Sequence, residues 1–169
     1  KADWADLMAA RTIANVPLVI GTAGTSGANS AVDWMLDITL EIARERGETL
    51  KIATLKSGQQ KEKIVTALNK GAIKPLEGAP NIDKTILDQC TNIVALAGIE
   101  QIQAALASEA DIIIAGRTTD TAIIAALPIA RGCHKGAAWH GAKIAECGAL
   151  ATTNPNSGVI LTVSYTHLR

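Results

Sequence analysis

The stretch Asp111-Ile112-Ile113-Ile114-Ala115-Gly116 decides the fold, because it is the clearest buried strand in the chain. A continuous apolar run of this length is typical of a strand inside a parallel sheet, where helices cover both faces. Two further strand candidates precede it, at Pro17–Gly21 and Leu50–Leu55. Segments with helical periodicity separate the three runs, so we predict parallel strands joined by right-handed crossovers.

The segments between the strands predict helices. Ser30 to Arg46 has apolar residues at helical spacing, with Ser30 as a capping residue, Asp33 at the capping-box position and Gly47 as the stop. Gln59 to Lys70 predicts a second helix. The spacing over Ile82–Ala97 favours a third, although its second half alone would also fit a strand.

The later part of the chain continues this pattern. We expect a helix around Ile102–Leu106, a helix from Asp120 to Pro128, a helix over Ala138–Ala149 and a strand over Gly158–Val163. The fold class is therefore α/β, with a mostly parallel sheet and flanking helices in a Rossmann-like layered arrangement over residues 1–163. Residues 164–169 follow the last strand without a helix, and we interpret them as a non-native tail.

Composition excludes several classes of function. Hydrophobic residues make up 48% of the chain, and Lys plus Arg and Asp plus Glu both total 16, so no basic surface is expected to bind nucleic acid. The apolar runs are far shorter than the roughly 20 residues of a membrane helix. The first residues lack the pattern of a secretory signal, and three cysteines without a C-x-x-C pair are expected to be reduced thiols. We therefore expect a cytoplasmic protein without a membrane partner.

A glycine-rich turn follows the first strand, with Gly21, Gly24 and Gly27 three residues apart. Glycines between a strand and a helix let the backbone approach an anion, and the helix N-terminus supplies free N–H groups. The spacing is neither G-x-G-x-x-G nor a P-loop, so no dinucleotide, ATP or other cofactor is identified. The alternative is a tight turn that needs only positive φ.

Arg117 and Asp120 directly follow the best strand, at the carboxyl edge where open parallel sheets bind ligands. The Arg117 guanidinium could hold a carboxylate or phosphate, and Asp120 could orient it or act as a base. The alternative is that Asp120 caps the next helix and pairs with Arg117 on the surface.

The predicted last helix places His140, Lys143 and Cys147 on one face, with Glu146 beside Lys143. His140 and Cys147 would lie about 10 Å apart along the axis, so this helix alone does not form a metal site. Lys143 could favour the thiolate of Cys147, or it could simply pair with Glu146. We expect His140 to enter the pocket of Arg117 and Asp120 from the first turn of this helix and to exchange a proton there.

Three phrases together resemble the acyclic terpene utilisation protein A (AtuA) family: the run from Gly21 to Trp34, Ala115 to Asp120, and the H-x-x-K-x-x-E-C-G phrase that starts at His140. The resemblance extends to about Gly158, and its matching positions are Gly24, Gly27, Asp33, Gly116, Arg117, Asp120, His140, Lys143, Glu146, Cys147 and Gly148. This chain has Thr119-Asp120-Thr121 where the family commonly has Asp-Pro after Tyr or Ser.

The resemblance implies an internal piece of a larger protein, with a fold that is incomplete at both ends. Its partners would then include the rest of its own polypeptide, and the unpaired sheet edges predict either poor solubility or self-association, for which a homo-oligomer is one form. The implied role is the breakdown of acyclic terpenes or related branched acids, with a small-molecule carboxylate or CoA ester as ligand. Two hypotheses follow: an enzyme that uses Arg117, Asp120, His140, Lys143 and Glu146, or a non-catalytic subunit that binds the ligand for a partner enzyme.

Overall fold

A computed structural model describes residues 1–147 of the chain. Its elements follow in this order: α1 (Ala2–Ala14), β1 (Leu18–Ile20), α2 (Asn29–Arg46), β2 (Ile52–Leu55), α3 (Lys61–Asn69), α4 (Lys84–Gln89), α5 (Ile99–Ala107), β3 (Ile112–Ala115), α6 (Asp120–Ala130) and α7 (Lys135–Glu146). The predicted final strand at 158–163, the end of the last predicted helix and the suspected tail lie outside the described residues.

The three strands form one parallel sheet in the order β1-β3-β2. Ile112 of β3 is in register with Leu18 of β1 on one side and with Ile52 of β2 on the other. Every residue of β3 is buried, as its apolar sequence predicts for a central strand covered on both faces. The predicted α/β fold with a parallel sheet and flanking helices is confirmed.

Alternating side chains of β3 supply two cores on opposite faces of the sheet. Ile112 and Ile114 pack against Trp4 and Met8 of α1 and against Val32 of α2. The opposite core contains Ile102 of α5, Ala115 of β3 and Ala126 of α6, while α7 packs on α6. Because strand side chains alternate, one short strand holds both helical layers together.

The predicted bounds of α2 are close, but its predicted cap is wrong. Gly47 ends the helix at φ 64°, where an L-residue would be strained. The N-cap is Ala28 rather than Ser30, which lies inside the first turn. Asp33 is not a capping residue either, since its carboxylate pairs with the Lys56 ammonium at 2.7 Å.

The single helix predicted over 82–97 is wrong beyond Gln89. Only α4 is helical there, and the segment 91–97, hereafter the crossing segment, is extended over the ends of two strands. Gln59 N–H donates to Ile93 O at 2.7 Å, and Ala95 N–H donates to Ser57 O at 2.8 Å. Backbone partners distant in sequence therefore replace the local bonds that a helix would make.

Two further differences concern helices. The sequence reading did not identify α1, which is held by a buried hydrogen bond from Trp4 Nε1 to Thr39 Oγ1 at 2.9 Å. Helix α6 was expected to end at Pro128 but continues to Ala130. None of the helices within residues 1–147 is both long and apolar enough to cross a bilayer.

Candidate functional site

The loops that follow the three strands meet at one edge of the sheet, hereafter the carboxyl rim: residues 21–29, 56–60 and 116–120. Their backbones bond directly, with Gly116 N–H donating to Leu55 O at 2.7 Å and Arg117 N–H donating to Gly27 O at 3.2 Å. Ser57 Oγ donates to Arg117 O at 3.0 Å. Ligands of open parallel sheets bind at this edge, so the rim is the natural place for a site.

The glycine turn, residues 21–27, packs so closely against its neighbours that its glycines leave no space for a Cβ. Gly27 has φ 69°, and a Cβ there would overlap the Arg117 backbone nitrogen and lie 2.7 Å from Thr22 Cγ2. A Cβ on Gly24, with φ 60°, would lie 2.7 Å from Ala31 Cβ, and one on Gly21 would lie 2.7 Å from Thr118 Oγ1. Gly21 and Gly27 therefore allow the turn to pack against the loop after β3, and Gly24 allows it to pack against α2.

Several backbone N–H groups of this turn already donate to carbonyl groups of the protein. Ala23 N–H donates to Ala115 O at 3.0 Å and Gly27 N–H donates to Ala23 O at 3.0 Å. By contrast, the first two N–H groups of α2, at Asn29 and Ser30, have no acceptor within residues 1–147. An anion at this turn would therefore meet the start of α2 rather than a ring of glycine amides.

Arg117 leaves the end of β3 and extends over the glycine turn. Its side chain is half-buried, and Nη1 lies 3.5 Å from Thr25 O. Within residues 1–147 no carboxylate forms an ion pair with it. The structure thus brings together two of the three motifs selected from the sequence, and it leaves the Arg117 charge available.

Asp120 occupies the first turn of α6, three residues after Arg117. The N-cap of this helix is Thr119, whose Oγ1 accepts from Ala122 N–H at 3.3 Å, so the alternative of Asp120 as the cap is wrong. Asp120 is exposed, and its carboxylate makes no hydrogen bond or ion pair with any described residue, Arg117 included. It therefore does not orient the guanidinium here.

Lys143, Glu146 and Cys147 form one polar cluster that joins α7 to α6. Thr121 Oγ1 donates to Glu146 Oε2 at 2.5 Å, and Lys143 Nζ lies 3.0 Å from the same oxygen. Lys143 Nζ also lies 3.5 Å from Cys147 Sγ. The bond from Thr121 and then the bond from Lys143 hold the pKa of Glu146 below its ordinary value, while Glu146 raises the pKa of Lys143.

The direction of α7 differs from the expectation. Because Glu146 bonds to Thr121 in the first turn of α6, α7 reaches the rim with its last turn and not with its first. His140 lies six residues before Glu146, which is about 9 Å along a helix at 1.5 Å per residue. It is exposed and its imidazole makes no hydrogen bond among the described residues, so its catalytic role stays a prediction.

The rim also borders a polar groove of about 310 Å³ that sequence reasoning missed. It is lined by Asn29, Gly58, Gln59, Gln60, Thr91, Asn92 and Ile93. The signal in the sequence was the Gln-Gln pair directly after a predicted strand and loop. Its contribution could not be recognised because the crossing segment, which forms the opposite wall, was predicted to be helical.

The described residues give no indication of a metal centre. In residues 1–147 no three His, Cys, Asp or Glu side chains are grouped so that they could hold a metal ion. The arrangement is instead that of an α/β protein whose parallel sheet presents an arginine and a helix N-terminus at its carboxyl edge.

Comparison with known families identifies the family of this chain. Residues 8–154 match the model of the acyclic terpene utilisation family protein AtuA, and the chain belongs to this family. No curated protein and no solved structure matches it. Family membership suggests involvement in acyclic terpene utilisation and leaves the reaction to be argued from the site.

Proposed function

We propose that the carboxyl rim binds the carboxylate of an acyclic terpenoid or branched acid, or a phosphate group of its CoA ester, during the breakdown of these compounds. The observation that carries the proposal is the Arg117 guanidinium, which has no carboxylate partner within the described residues. A half-buried arginine beside a glycine turn can form two parallel bonds to a carboxylate or phosphate. The free N–H groups of Asn29 and Ser30 add positive potential on the same rim.

Binding is tested by calorimetry of the intact protein with short branched carboxylic acids, comparing Arg117→Gln with the unchanged protein. Loss of a charge-assisted bond of about 1.5–3 kcal/mol lowers affinity about 10- to 100-fold. Arg131→Gln is the matched control, because Arg131 is an exposed arginine at the other end of α6. Equal affinities for the two variants would refute the role of Arg117.

The proposal favours an enzyme in which Asp120 is the general base. Asp120 is three residues from Arg117 and its carboxylate has no described partner, whereas Glu146 is held by Thr121 and Lys143. A general base must have an oxygen within hydrogen-bond reach of the proton that it accepts, and a carboxylate without other partners offers both of its oxygens. Lys143 and Glu146 then position α7 against α6, and their catalytic assignment stays a prediction with that of His140.

The second candidate is a non-catalytic subunit that binds the same ligand for a partner enzyme. It is favoured by the internal pairing of Lys143 and Glu146, which leaves fewer groups for proton transfer. Asp120→Asn separates the two candidates, since loss of a general base lowers turnover about 10²- to 10⁴-fold while affinity is kept. A variant with unchanged activity of the assembled system would support the binding subunit.

A further inference from the structure

We propose that the polar groove beside the rim binds a neutral secondary amide of the ligand. The groove has a volume of about 310 Å³, and none of its lining residues carries a charge. Pockets that bind small molecules begin at about this size and orient their ligands with a few polar groups. The proposal does not depend on the assignment of Arg117.

One wall of the groove is fixed by a bond between two loops. Asn29 Oδ1 accepts from Gly58 N–H at 2.9 Å, and a Cβ on Gly58 would lie 2.7 Å from Asn29 Nδ2. The backbone at Gly58 and the Asn29 carboxamide therefore approach each other as closely as glycine permits. This bond uses the Asn29 oxygen and leaves its Nδ2 protons to donate to a ligand.

The side chain of Gln59 uses its nitrogen in the fold and, among the described residues, leaves its oxygen free, the opposite of Asn29. Gln59 Nε2 donates to Ser57 O at 3.0 Å, and its own backbone N–H donates to Ile93 O at 2.7 Å. The Gln59 side-chain oxygen has no donor within residues 1–147, so it remains free to accept. Asn29 thus offers a donor and Gln59 an acceptor, and the Gln60 and Asn92 carboxamides of the same lining can supply either.

This combination is complementary to a secondary amide, whose C=O accepts and whose N–H donates. A carboxylate could accept a hydrogen bond from Asn29 Nδ2, but the Gln59 oxygen would repel it. A cation would find no carboxylate among the lining residues. Secondary amides occur in peptides and in the pantetheine arm of acyl carriers. Both sources share the recognised chemistry.

The test is calorimetry of the intact protein with two neutral probes, S-methylpantetheine and a dipeptide blocked at both ends. We expect at least one to bind, and Asn29→Asp to weaken that binding about tenfold, because Asp keeps an acceptor for Gly58 N–H but removes the donor. Asn69→Asp is the control, since it adds the same charge at the exposed end of α3. Which probe binds more tightly identifies the source of the amide.

The proposal is overturned if neither probe binds at millimolar concentration, or if the two Asp variants bind a probe equally well. Neither result affects the role of Arg117, which is measured with branched acids that contain no amide. Conversely, Arg117→Gln could leave the affinity for branched acids unchanged while the amide probes still bind. That result would refute the proposed carboxylate site and support the groove.

Discussion

The two ends of the same sheet each carry an arginine, and the two arginines have opposite surroundings. At the amino end, Arg11 forms an ion pair with Asp111, whose other carboxylate oxygen accepts from Lys51 N–H at 2.8 Å. At the carboxyl end, Arg117 has no carboxylate partner among residues 1–147. One end uses its charges in an ion pair that stabilises the fold, whereas the other has an arginine without a carboxylate partner among the described residues, which we propose to bind the ligand.

The backbone repeats this difference. At the amino end, Asp111 N–H donates to Lys51 O and Leu18 N–H donates to Asp111 O, so all three strands are joined before they enter the core. At the carboxyl end the loops also bond to each other, but the N–H groups at the start of α2 have no acceptor among residues 1–147. A parallel sheet can therefore be stable at one edge and chemically open at the other.

The largest expected effect is on the backbone of the carboxyl rim. Gly27→Ala places a Cβ against the Arg117 backbone at positive φ, so left-handed strain and overpacking together should cost about 2–5 kcal/mol. Gly47→Ala is the matched control, with φ 64° and nothing within 4 Å of the added Cβ, and should cost only about 1–2 kcal/mol. Urea unfolding measures both free energies.

Equal losses in the two glycine variants would contradict the close packing of the turn against Arg117. The glycines would then be required only for their φ angles, as the alternative sequence interpretation holds. A larger loss at Gly27, accompanied by weaker binding of branched acids in the folded fraction, would instead show that the turn positions Arg117.

A smaller effect is expected from pH at the junction of α6 and α7. The pKa of Glu146 is held below its ordinary 4.5, first by Thr121 and then by Lys143. A lowered folded pKa stabilises the fold fully above pH 4.5, and this contribution is lost as the pH falls through the lower value. The melting temperature should therefore fall less between pH 5 and 3 in Glu146→Gln than in the unchanged protein.

Glu77→Gln is the control for this measurement, because Glu77 is exposed in a loop far along the chain from the junction. If both variants give the same acid slope, Glu146 does not stabilise the contact between the helices. The effect should be modest, since Lys143 is exposed and solvent screens the pair.

The strands and the position of Arg117 at their carboxyl ends could be predicted from sequence because their signals are local. Three apolar runs predict β1, β2 and β3, and the position of Arg117 directly after β3 predicts that it lies at the carboxyl edge of the sheet. The rest depended on partners distant in sequence. The crossing segment has helical spacing, but Ser57 and Arg117 supply backbone acceptors for Ala95 and Ala97 that no local pattern reveals.

The same limit applies to α7 and the groove. Which end of α7 reaches the rim is decided by Thr121, a residue 25 positions before Glu146, and nothing in the helix phrase itself specifies that contact. Asn29 and Gln59 acquire complementary roles only because Gly58 and Ser57 use one end of each carboxamide. Such roles follow from tertiary hydrogen bonds and not from residue type.

The most direct test of the two-arginine account measures stability and carboxylate affinity in both Arg11→Gln and Arg117→Gln. Arg11→Gln leaves the partly buried Asp111 carboxylate without its charged partner, so the free energy of unfolding should fall by about 3 kcal/mol. The folded fraction of this variant should bind branched acids within about twofold of the unchanged protein. Arg117→Gln should keep its stability within about 0.5 kcal/mol and lose about 10- to 100-fold in affinity. An Arg117 variant that is destabilised like Arg11→Gln and binds the acids normally would contradict the account, because Arg117 would then be a structural residue.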